Sequence, residues 1–154
     1  MTDFKILTTT EVSLLTTELN ALANGSGAAG SGSWDNSAGL WPFAHGLLSV
    51  TFGSNPTLNN TCDLYLIPSF DGTNFGDYAT GATPFAPPGF LLGFFVLRAT
   101  TSLQRVPLSL TGPLAMAPQL PGYKLRPYLI NRSGVAFPAS GSIVTLYPQS
   151  WKSV

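Results

Sequence analysis

Residues 61–72, T-C-D-L-Y-L-I-P-S-F-D-G, decide the fold class of this chain. Leu64 and Leu66 fall on one face of an extended backbone and Tyr65 falls on the other, because successive side chains of a strand point in opposite directions. The Asp71-Gly72 pair that follows is a common turn sequence. Alternation bounded by a turn predicts a β-strand here.

The same pattern of short apolar runs separated by turn sequences repeats from Trp34 to the end of the chain. The predicted strands cover residues 47–52, 62–67, 91–97, 104–110, 123–131 and 142–147. About six to eight strands with no helix between them predict an all-β, antiparallel sandwich or jelly-roll-like body over residues 34–154. Pro107 and Pro127 lie inside predicted strands, which places those strands at sheet edges or at bulges.

The N-terminal segment has a helical pattern instead. Residues 8–11, T-T-T-E, have the spacing of a capping box, and Asn24-Gly25 is a suitable helix stop. Between them, apolar residues recur at a spacing of three, four and three. This apolar stripe consists of Val12, Leu15, Leu19 and Leu22. The pattern predicts a short α-helix over residues 9–23, within an N-terminal arm of residues 1–24.

A Gly/Ser-rich segment, G-S-G-A-A-G-S-G-S over residues 25–33, separates this arm from the β body and predicts a flexible linker. The arm either lies on its own domain or packs on a symmetry mate. If it packs on a mate, deleting residues 1–33 should abolish assembly and leave a folded body.

The composition points to an assembly component. Only 9% of residues are charged, against about 25% in ordinary soluble domains, and seven basic residues balance seven acidic ones. A free monomer with so few charges tends to self-associate, whereas a subunit covered by its neighbours does not. The absence of a basic excess argues against nucleic-acid binding. No apolar run approaches the roughly 20 residues of a membrane span, and no signal peptide is visible.

The charges are unevenly distributed along the chain. Residues 1–77 hold all seven acids and one base, and residues 78–154 hold six bases and no acid. If the two halves interleave in one sheet, the acids and bases neutralise each other within the domain through cross-strand pairs. If they face different neighbours, it is complementarity between subunits.

Candidate catalytic and metal-binding residues are few. His45 lacks a recognisable nucleophile and orienting carboxylate, so we interpret it as a packed or surface histidine. Cys62 has no basic neighbour in sequence and is interpreted as a half-buried structural thiol. Residues 71–77, D-G-T-N-F-G-D, offer oxygen ligands for calcium but lack the EF-hand pattern, and a turn explains them as well. We therefore expect no enzyme, no cofactor and no metal site.

The aromatic residues allow a second hypothesis. Trp34, Trp41 and Trp151 could form a stacking platform for a glycan, which would suit a carbohydrate- or receptor-binding module. Phenylalanine nevertheless outnumbers tryptophan and tyrosine together, ten against eight, and indicates core or dry interface. The Pro-rich loop at residues 83–88 presents apolar groups on an extended backbone, which suits docking onto another protein.

Several stretches resemble small virion proteins of tailed bacteriophages. Residues 63–75, D-L-Y-L-I-P-S-F-D-G-T-N-F, carry the main resemblance, with Phe75 where the pattern has tyrosine. Shorter similarities lie at residues 18–25 with 35–36, 122–125, 131–136 and 139–141. A-S-G-S over residues 139–142 replaces a Gly-Asn hairpin of the pattern. The resemblance implies a β-sandwich virion protein, either a capsid decoration (cement) protein or a head or tail appendage.

Composition and resemblance together predict a non-enzymatic capsid decoration protein. It would be synthesised in the host cytoplasm and bind the major capsid protein lattice on the outer capsid surface, as a homo-oligomer with a trimer favoured. The alternative is a carbohydrate- or receptor-binding module of a head or tail fibre. The predicted contact residues are Val12, Leu15, Leu19 and Leu22 of the arm, and Phe85, Pro87, Pro88, Pro113, Met116 and Pro118 of two Pro-rich loops.

Overall fold

A computed structural model of the chain describes residues 4–8, 10–37, 41, 43–86, 91–110 and 124–153. These residues form β-strands, one 3₁₀ turn (η1) and no α-helix. The elements, in chain order, are β1 Phe4–Thr8, β2 Val12–Leu15, η1 Thr17–Leu19, β3 Gly27–Ala29, β4 Trp34–Asp35, β5 Phe43–Val50, β6 Thr61–Ser69, β7 Leu91–Val96, β8 Gln104–Pro107, β9 Ser109–Leu110, β10 Lys124–Arg132 and β11 Ile143–Ser153. Among the described residues, no helix has the length and apolar character needed to cross a bilayer.

The described strands make two antiparallel sheets. In the first sheet β11 is central, with β1 and β2 on one side and β5 followed by β8 on the other. In the second sheet β10 has β3 and β4 on one side and β6, β7 and β9 on the other. The predicted all-β, antiparallel class is therefore confirmed, and each of the six apolar runs contributes to a strand.

The pairing is nested along the chain. The first strands, β1 and β2, pair with the last strand β11, and β3 and β4 pair with β10. Further in, β5 pairs with β8 and β6 with β7. The two halves of the chain therefore pair like the arms of one long β-hairpin that folds into two sheets. This pairing brings distant parts of the sequence together.

The inner faces of both sheets contribute to one hydrophobic core. Leu48 of β5 and Leu146 of β11 come from the first sheet, and Leu64 of β6 and Leu129 of β10 come from the second; all four are fully buried. The edge-to-face pair of Phe52 and Phe137, with ring centroids 5.3 Å apart, lies in the same cluster.

The N-terminal helix predicted over residues 9–23 is wrong. Residues 12–15 are strand β2, paired with β11, and only residues 17–19 turn as a short 3₁₀ helix. The residues that were to cap the helix also act otherwise, since the Glu11 carboxylate accepts a hydrogen bond from the Tyr147 hydroxyl at 3.0 Å. Threonine and valine favour strands over helices, and β11 supplies the backbone partners that such strands require.

The stripe leucines are part of the core. Leu15 and Leu19 are fully buried in the same cluster as both sheets, and Val12 and Leu22 pack against that cluster. Leu15 and Leu19 are therefore not available for contact with another subunit in this conformation. The boundaries at residues 24/25 and 33/34 stay predictions, but core contacts join residues on both sides of them.

The Gly/Ser-rich segment is also built into the sheets. Strand β3 pairs with residues 128–130 of β10, so residues 27–29 do not form the predicted flexible linker. At Gly27 a Cβ atom would lie within 3 Å of the Tyr128 ring and of Pro84. The glycine thus permits a close approach that any side chain would block.

The two prolines that the sequence analysis placed inside strands, Pro107 and Pro127, lie where the sheet tolerates a missing N–H. Pro107 is in β8, the edge strand of the first sheet, as predicted. Pro127 is in β10, which has neighbours on both sides and pairs with β6 without a register shift, so neither the predicted edge nor the predicted bulge applies to it. Its carbonyl accepts a hydrogen bond from Gly30 at 2.8 Å, between the segments where β3 and β4 pair with β10. The missing donor therefore faces an interruption in the neighbouring strand.

Asn131 ties the N-terminal segment to the loop before β11. Its buried side-chain amide donates to the carbonyls of Leu22 and Val135, both at 2.9 Å, and its Oδ1 accepts from the Ser133 N–H at 3.0 Å. Asn131→Ala leaves these groups unpaired, and we expect it to lower the free energy of unfolding by about 3 kcal/mol.

Chemical denaturation of this variant, with the exposed Asn55→Ala as the matched control, measures the effect. Equal stability of both variants would show that the Asn131 amide makes no net contribution to the free energy of unfolding.

Candidate functional site

One loop covers the outer face of the second sheet. This loop, residues 70–86, follows β6 and is called the 70–86 loop below. Four residues of β6 and β10 form a second buried cluster on that face, namely Tyr65, Ile67, Tyr128 and Ile130. The loop residues Phe75, Tyr78 and Ala86 pack against this cluster. The loop is therefore fixed to the sheet by apolar contacts along its length.

Asp71 anchors the start of the loop. Its Oδ1 accepts hydrogen bonds from the backbone N–H groups of Thr73 and Asn74, at 2.8 and 2.7 Å, and from the Ser69 hydroxyl at 3.1 Å. Its Oδ2 accepts from Asn74 Nδ2 at 2.7 Å. These hydrogen bonds hold the pKa of the Asp71 carboxyl well below its ordinary value. The turn interpretation of residues 71–77 is confirmed for Asp71.

Arg126 of β10 holds the middle of the loop. Its guanidinium lies 4.0 Å from the centroid of the Phe75 ring, and its Nη1 donates to the Tyr78 hydroxyl at 2.7 Å. A planar guanidinium can stack on one ring and donate a hydrogen bond to another group at the same time. Arg126 therefore joins two loop aromatics to the sheet.

The second half of the loop is held by backbone contacts. The buried Tyr128 hydroxyl donates to the Ala79 carbonyl at 2.5 Å, and burial raises the pKa of Tyr128 to about 12. Ala79 and Phe85 form a two-way backbone bridge with N–O distances of 2.8 and 3.0 Å. Gly81 pairs in the same way with Gly27 of β3.

Two phenylalanines remain exposed on this loop. Phe70 is 72% exposed and Phe85 is 52% exposed, although contacts on both sides of each hold the loop in place. The other large exposed apolar side chains of the described residues, Leu58, Val96 and Leu103, are aliphatic and lie outside the loop. A fixed loop that presents two aromatic rings to solvent has the chemistry of a docking surface for another protein.

The predicted contact residues are therefore distributed over different environments. Phe85 is exposed on the 70–86 loop, whereas the arm leucines belong to the core. The remaining five lie outside the described residues: Pro87, Pro88, Pro113, Met116 and Pro118.

The predicted tryptophan platform is not assembled by the described side chains. Trp34 is half-buried in β4 and packs against the core. Trp41 is half-buried in a separate loop, where its backbone exchanges two hydrogen bonds with the side chain of the buried Asn36, at 3.0 and 3.1 Å. Trp151 lies in β11, and its side chain is outside the described set.

His45 and Cys62 have the surroundings of structural residues. His45 is exposed in β5, directly opposite Tyr147 of β11. Cys62 is fully buried, not half-buried as predicted, and burial raises the pKa of its thiol. No group of three or more His, Cys, Asp or Glu side chains comes together within the part of the chain that the structure describes.

The acidic and basic halves of the sequence interleave. Arg132 Nε and Asp63 Oδ2 form an ion pair at 2.7 Å between β10 and β6. Lys124 of β10 lies directly opposite Asp35 of β4. In both cases a base from the second half faces an acid from the first half, which favours internal balance as the explanation of the uneven charge distribution.

Glu18 lies in a cleft of about 240 Å³ between η1 and β4. Its Oε1 accepts hydrogen bonds from the Ser31 N–H and hydroxyl, at 2.9 and 2.6 Å, and its Oε2 accepts from the Thr16 N–H at 3.0 Å. Desolvation raises the pKa of Glu18, but the hydrogen bonds from Ser31 and Thr16 outweigh it and lower the pKa from 4.5 to about 2.

This lowered pKa makes stability depend on pH in the acid range. The contribution of Glu18 is fully present above pH 4.5 and is lost as the pH falls towards 2. Because the carboxylate is largely solvent-accessible, we expect only about 1 kcal/mol from it. Glu18→Gln should therefore be less stable than wild type by that amount at pH 6, and equally stable at pH 2. Denaturation curves at both pH values measure this; a constant difference would contradict it.

Most of the 70–86 loop was not predicted from the sequence. Phe70, Tyr78 and Arg126 were not singled out as functional residues. One signal was present, since β6 is apolar on both faces, and its outer residues Tyr65 and Ile67 require a cover. Glu18 was placed on a helix and gave no local signal of its bonds to Ser31.

Comparisons with other proteins place the chain in no family: no protein-family model, no curated protein and no solved structure matches it. Its function must therefore be inferred from its own residues and contacts.

Proposed function

We propose that this chain is a non-enzymatic virion structural protein of a tailed bacteriophage. It binds the outer surface of the major capsid protein lattice as a decoration protein and stabilises that lattice. It acts as a homotrimer, and the 70–86 loop makes the principal contact.

The order of the strands supports a jelly-roll β-sandwich as the body. Nested pairing of first with last strands, in two antiparallel sheets around one core, is the arrangement that a jelly roll requires. Jelly rolls are frequent in viral capsid and lectin domains. Because one fold serves many functions, the jelly roll is compatible with a virion protein but does not by itself identify the function.

The observation that carries the proposal is the pair of exposed phenylalanines on the fixed 70–86 loop. A loop that is already ordered loses little conformational entropy when it binds, so that more of the contact energy contributes to affinity. Each phenylalanine that becomes fully buried contributes about 1.5–3 kcal/mol before association costs. Repetition of one contact over a capsid lattice adds avidity to this modest single-site energy.

The charge-poor composition supports the same conclusion. Only 9% of the chain is charged, and the described ion pair is internal to the second sheet. Docking such a surface removes few charges from water, which keeps the desolvation cost low. The resemblance of residues 63–75 to small phage virion proteins covers most of β6 and the first part of the 70–86 loop.

Sedimentation velocity tests the proposal. The purified chain should sediment as a discrete trimer, and after mixing with expanded, undecorated shells of the phage that encodes it, it should co-sediment with them and raise their melting temperature. A chain that does not co-sediment with the shells would overturn the capsid-binding proposal. It would favour a receptor-binding module instead.

A further inference from the structure

Two clefts adjoin the 3₁₀ turn η1, and Thr16 lines both. The first, of about 240 Å³, contains Glu18 and Trp34. The second, of about 360 Å³, lies between η1 and residues 140–143. The two clefts share Thr16, and we call them together the η1 groove. It is distinct from the 70–86 loop and from the residues that the proposed capsid contact uses.

The first cleft combines an aromatic ring, an apolar side chain and a carboxylate. Trp34 and Val12 supply apolar surface, and the hydroxyls of Ser13 and Ser33 supply both donors and acceptors. Glu18 Oε2 accepts one hydrogen bond, from Thr16, and a carboxylate oxygen can accept more than one. A pyranose ring presents the matching groups, since it has an apolar C–H face that stacks on indole and hydroxyls that donate to carboxylates.

The second cleft contains an unpaired buried hydroxyl. Ser142 is only 4% exposed, and its Oγ has no hydrogen-bond partner among the described residues. The surrounding polar side chains, Thr17, Asn20 and Ser140, are exposed and uncharged. A buried polar group without a partner costs free energy, so a bound molecule that supplies a hydrogen bond at this position is favoured.

The charge of the η1 groove restricts its ligand. Glu18 is the charged residue among those that line the two clefts, and neither cleft is lined by Lys, Arg or His of the described chain. An acidic sugar would meet an uncompensated carboxylate, whereas a neutral sugar would meet an acceptor for its hydroxyls.

We propose that the η1 groove binds a neutral oligosaccharide, with one sugar ring against Trp34 and Glu18 and a neighbouring ring over Ser142. This inference does not depend on capsid binding. It also replaces the predicted platform of three tryptophans with a site that uses Trp34 alone.

Nuclear magnetic resonance titration of the ¹⁵N-labelled full chain tests the inference. The probes are neutral tetrasaccharides of glucose, of galactose and of N-acetylglucosamine, with a tetrasaccharide of galacturonic acid as the acidic comparison. At least one neutral probe should give saturable shifts of amides at residues 12–18, 31–34 and 140–143. The acidic probe should bind at least about tenfold more weakly. Absence of saturation by every neutral probe, or shifts confined to other residues, would overturn the inference.

Two variants examine the two clefts separately. Glu18→Gln should weaken binding about tenfold, because it removes a charged acceptor. Ser142→Ala should weaken binding about threefold at an unchanged or higher melting temperature, since it deletes a hydroxyl that the protein itself does not use. Glu11→Gln, which changes the other glutamate of the chain, is the matched control and should bind like wild type. Wild-type affinity in both groove variants would overturn the proposed placement of the sugar.

Discussion

Replacing Phe70 and Phe85 together with alanine is expected to weaken binding to undecorated shells at least about 100-fold, because aromatic anchors carry most of the energy of an interface. Both side chains are largely exposed, so their removal takes little from the core and the melting temperature should not change. Co-sedimentation across a concentration series measures the affinity, and thermal unfolding measures the stability.

The matched control is Leu58→Ala with Leu103→Ala. Both leucines are large, exposed and apolar, and both lie outside the 70–86 loop. Suppose this control weakened binding as much as the phenylalanine pair did. Loss of any exposed apolar side chain would then reduce binding, and the 70–86 loop would not be the principal contact.

Deletion of residues 1–33 is expected to prevent folding, in contrast to the expectation from sequence that a folded body would remain. The deletion removes β1, β2 and β3, together with Leu14, Leu15 and Leu19 of the core. Replacing one buried leucine by alanine typically costs about 2–5 kcal/mol, so three losses approach the whole stability of about 5–15 kcal/mol of a domain. Circular dichroism of the truncated chain should show no cooperative unfolding transition.

A pair of point variants separates this effect from simple loss of chain length. Leu15→Ala should lower the free energy of unfolding by about 3 kcal/mol, whereas Thr17→Ala, at an exposed position, should change it by less than about 0.5 kcal/mol. A truncated chain that unfolded cooperatively near the wild-type temperature would instead support the prediction from sequence that the body folds without residues 1–33.

Local patterns were sufficient to predict most strands of the β body, although not the short β4. Apolar runs bounded by turn sequences located β5, β6, β7, β10 and β11, and the predicted edge position of Pro107 is confirmed by β8. The run predicted as one strand over residues 104–110 is instead divided into β8 and β9, which belong to different sheets. These features depend on neighbouring residues, which a sequence displays directly.

The N-terminal segment could not be predicted in the same way. The three-four-three spacing of Val12, Leu15, Leu19 and Leu22 fits a helix, but a strand followed by a 3₁₀ turn also points these side chains at one core. The deciding partner is β11, more than 120 residues further along the chain. Nothing in residues 8–25 reveals that partner, because pairing between distant strands is set by the whole fold.

The 70–86 loop was predicted only in part. Phe85 was expected at an interface and is exposed on the 70–86 loop, while its contact with another protein stays a prediction. Phe70 lies next to a turn, and Arg126 acts through Phe75 and Tyr78, residues about 50 positions away in sequence. These relationships follow from the loop lying on the second sheet, which the linear sequence does not show.

Hydrogen exchange of the chain, free and bound to undecorated shells, tests the proposed capsid contact most directly. We expect amides in the 70–86 loop to become protected on binding, while those of the loops around Leu58 and Leu103 exchange as in the free chain. Protection confined to the latter loops, or no protection anywhere after shells are added, would contradict the proposal that the 70–86 loop docks this protein onto a capsid.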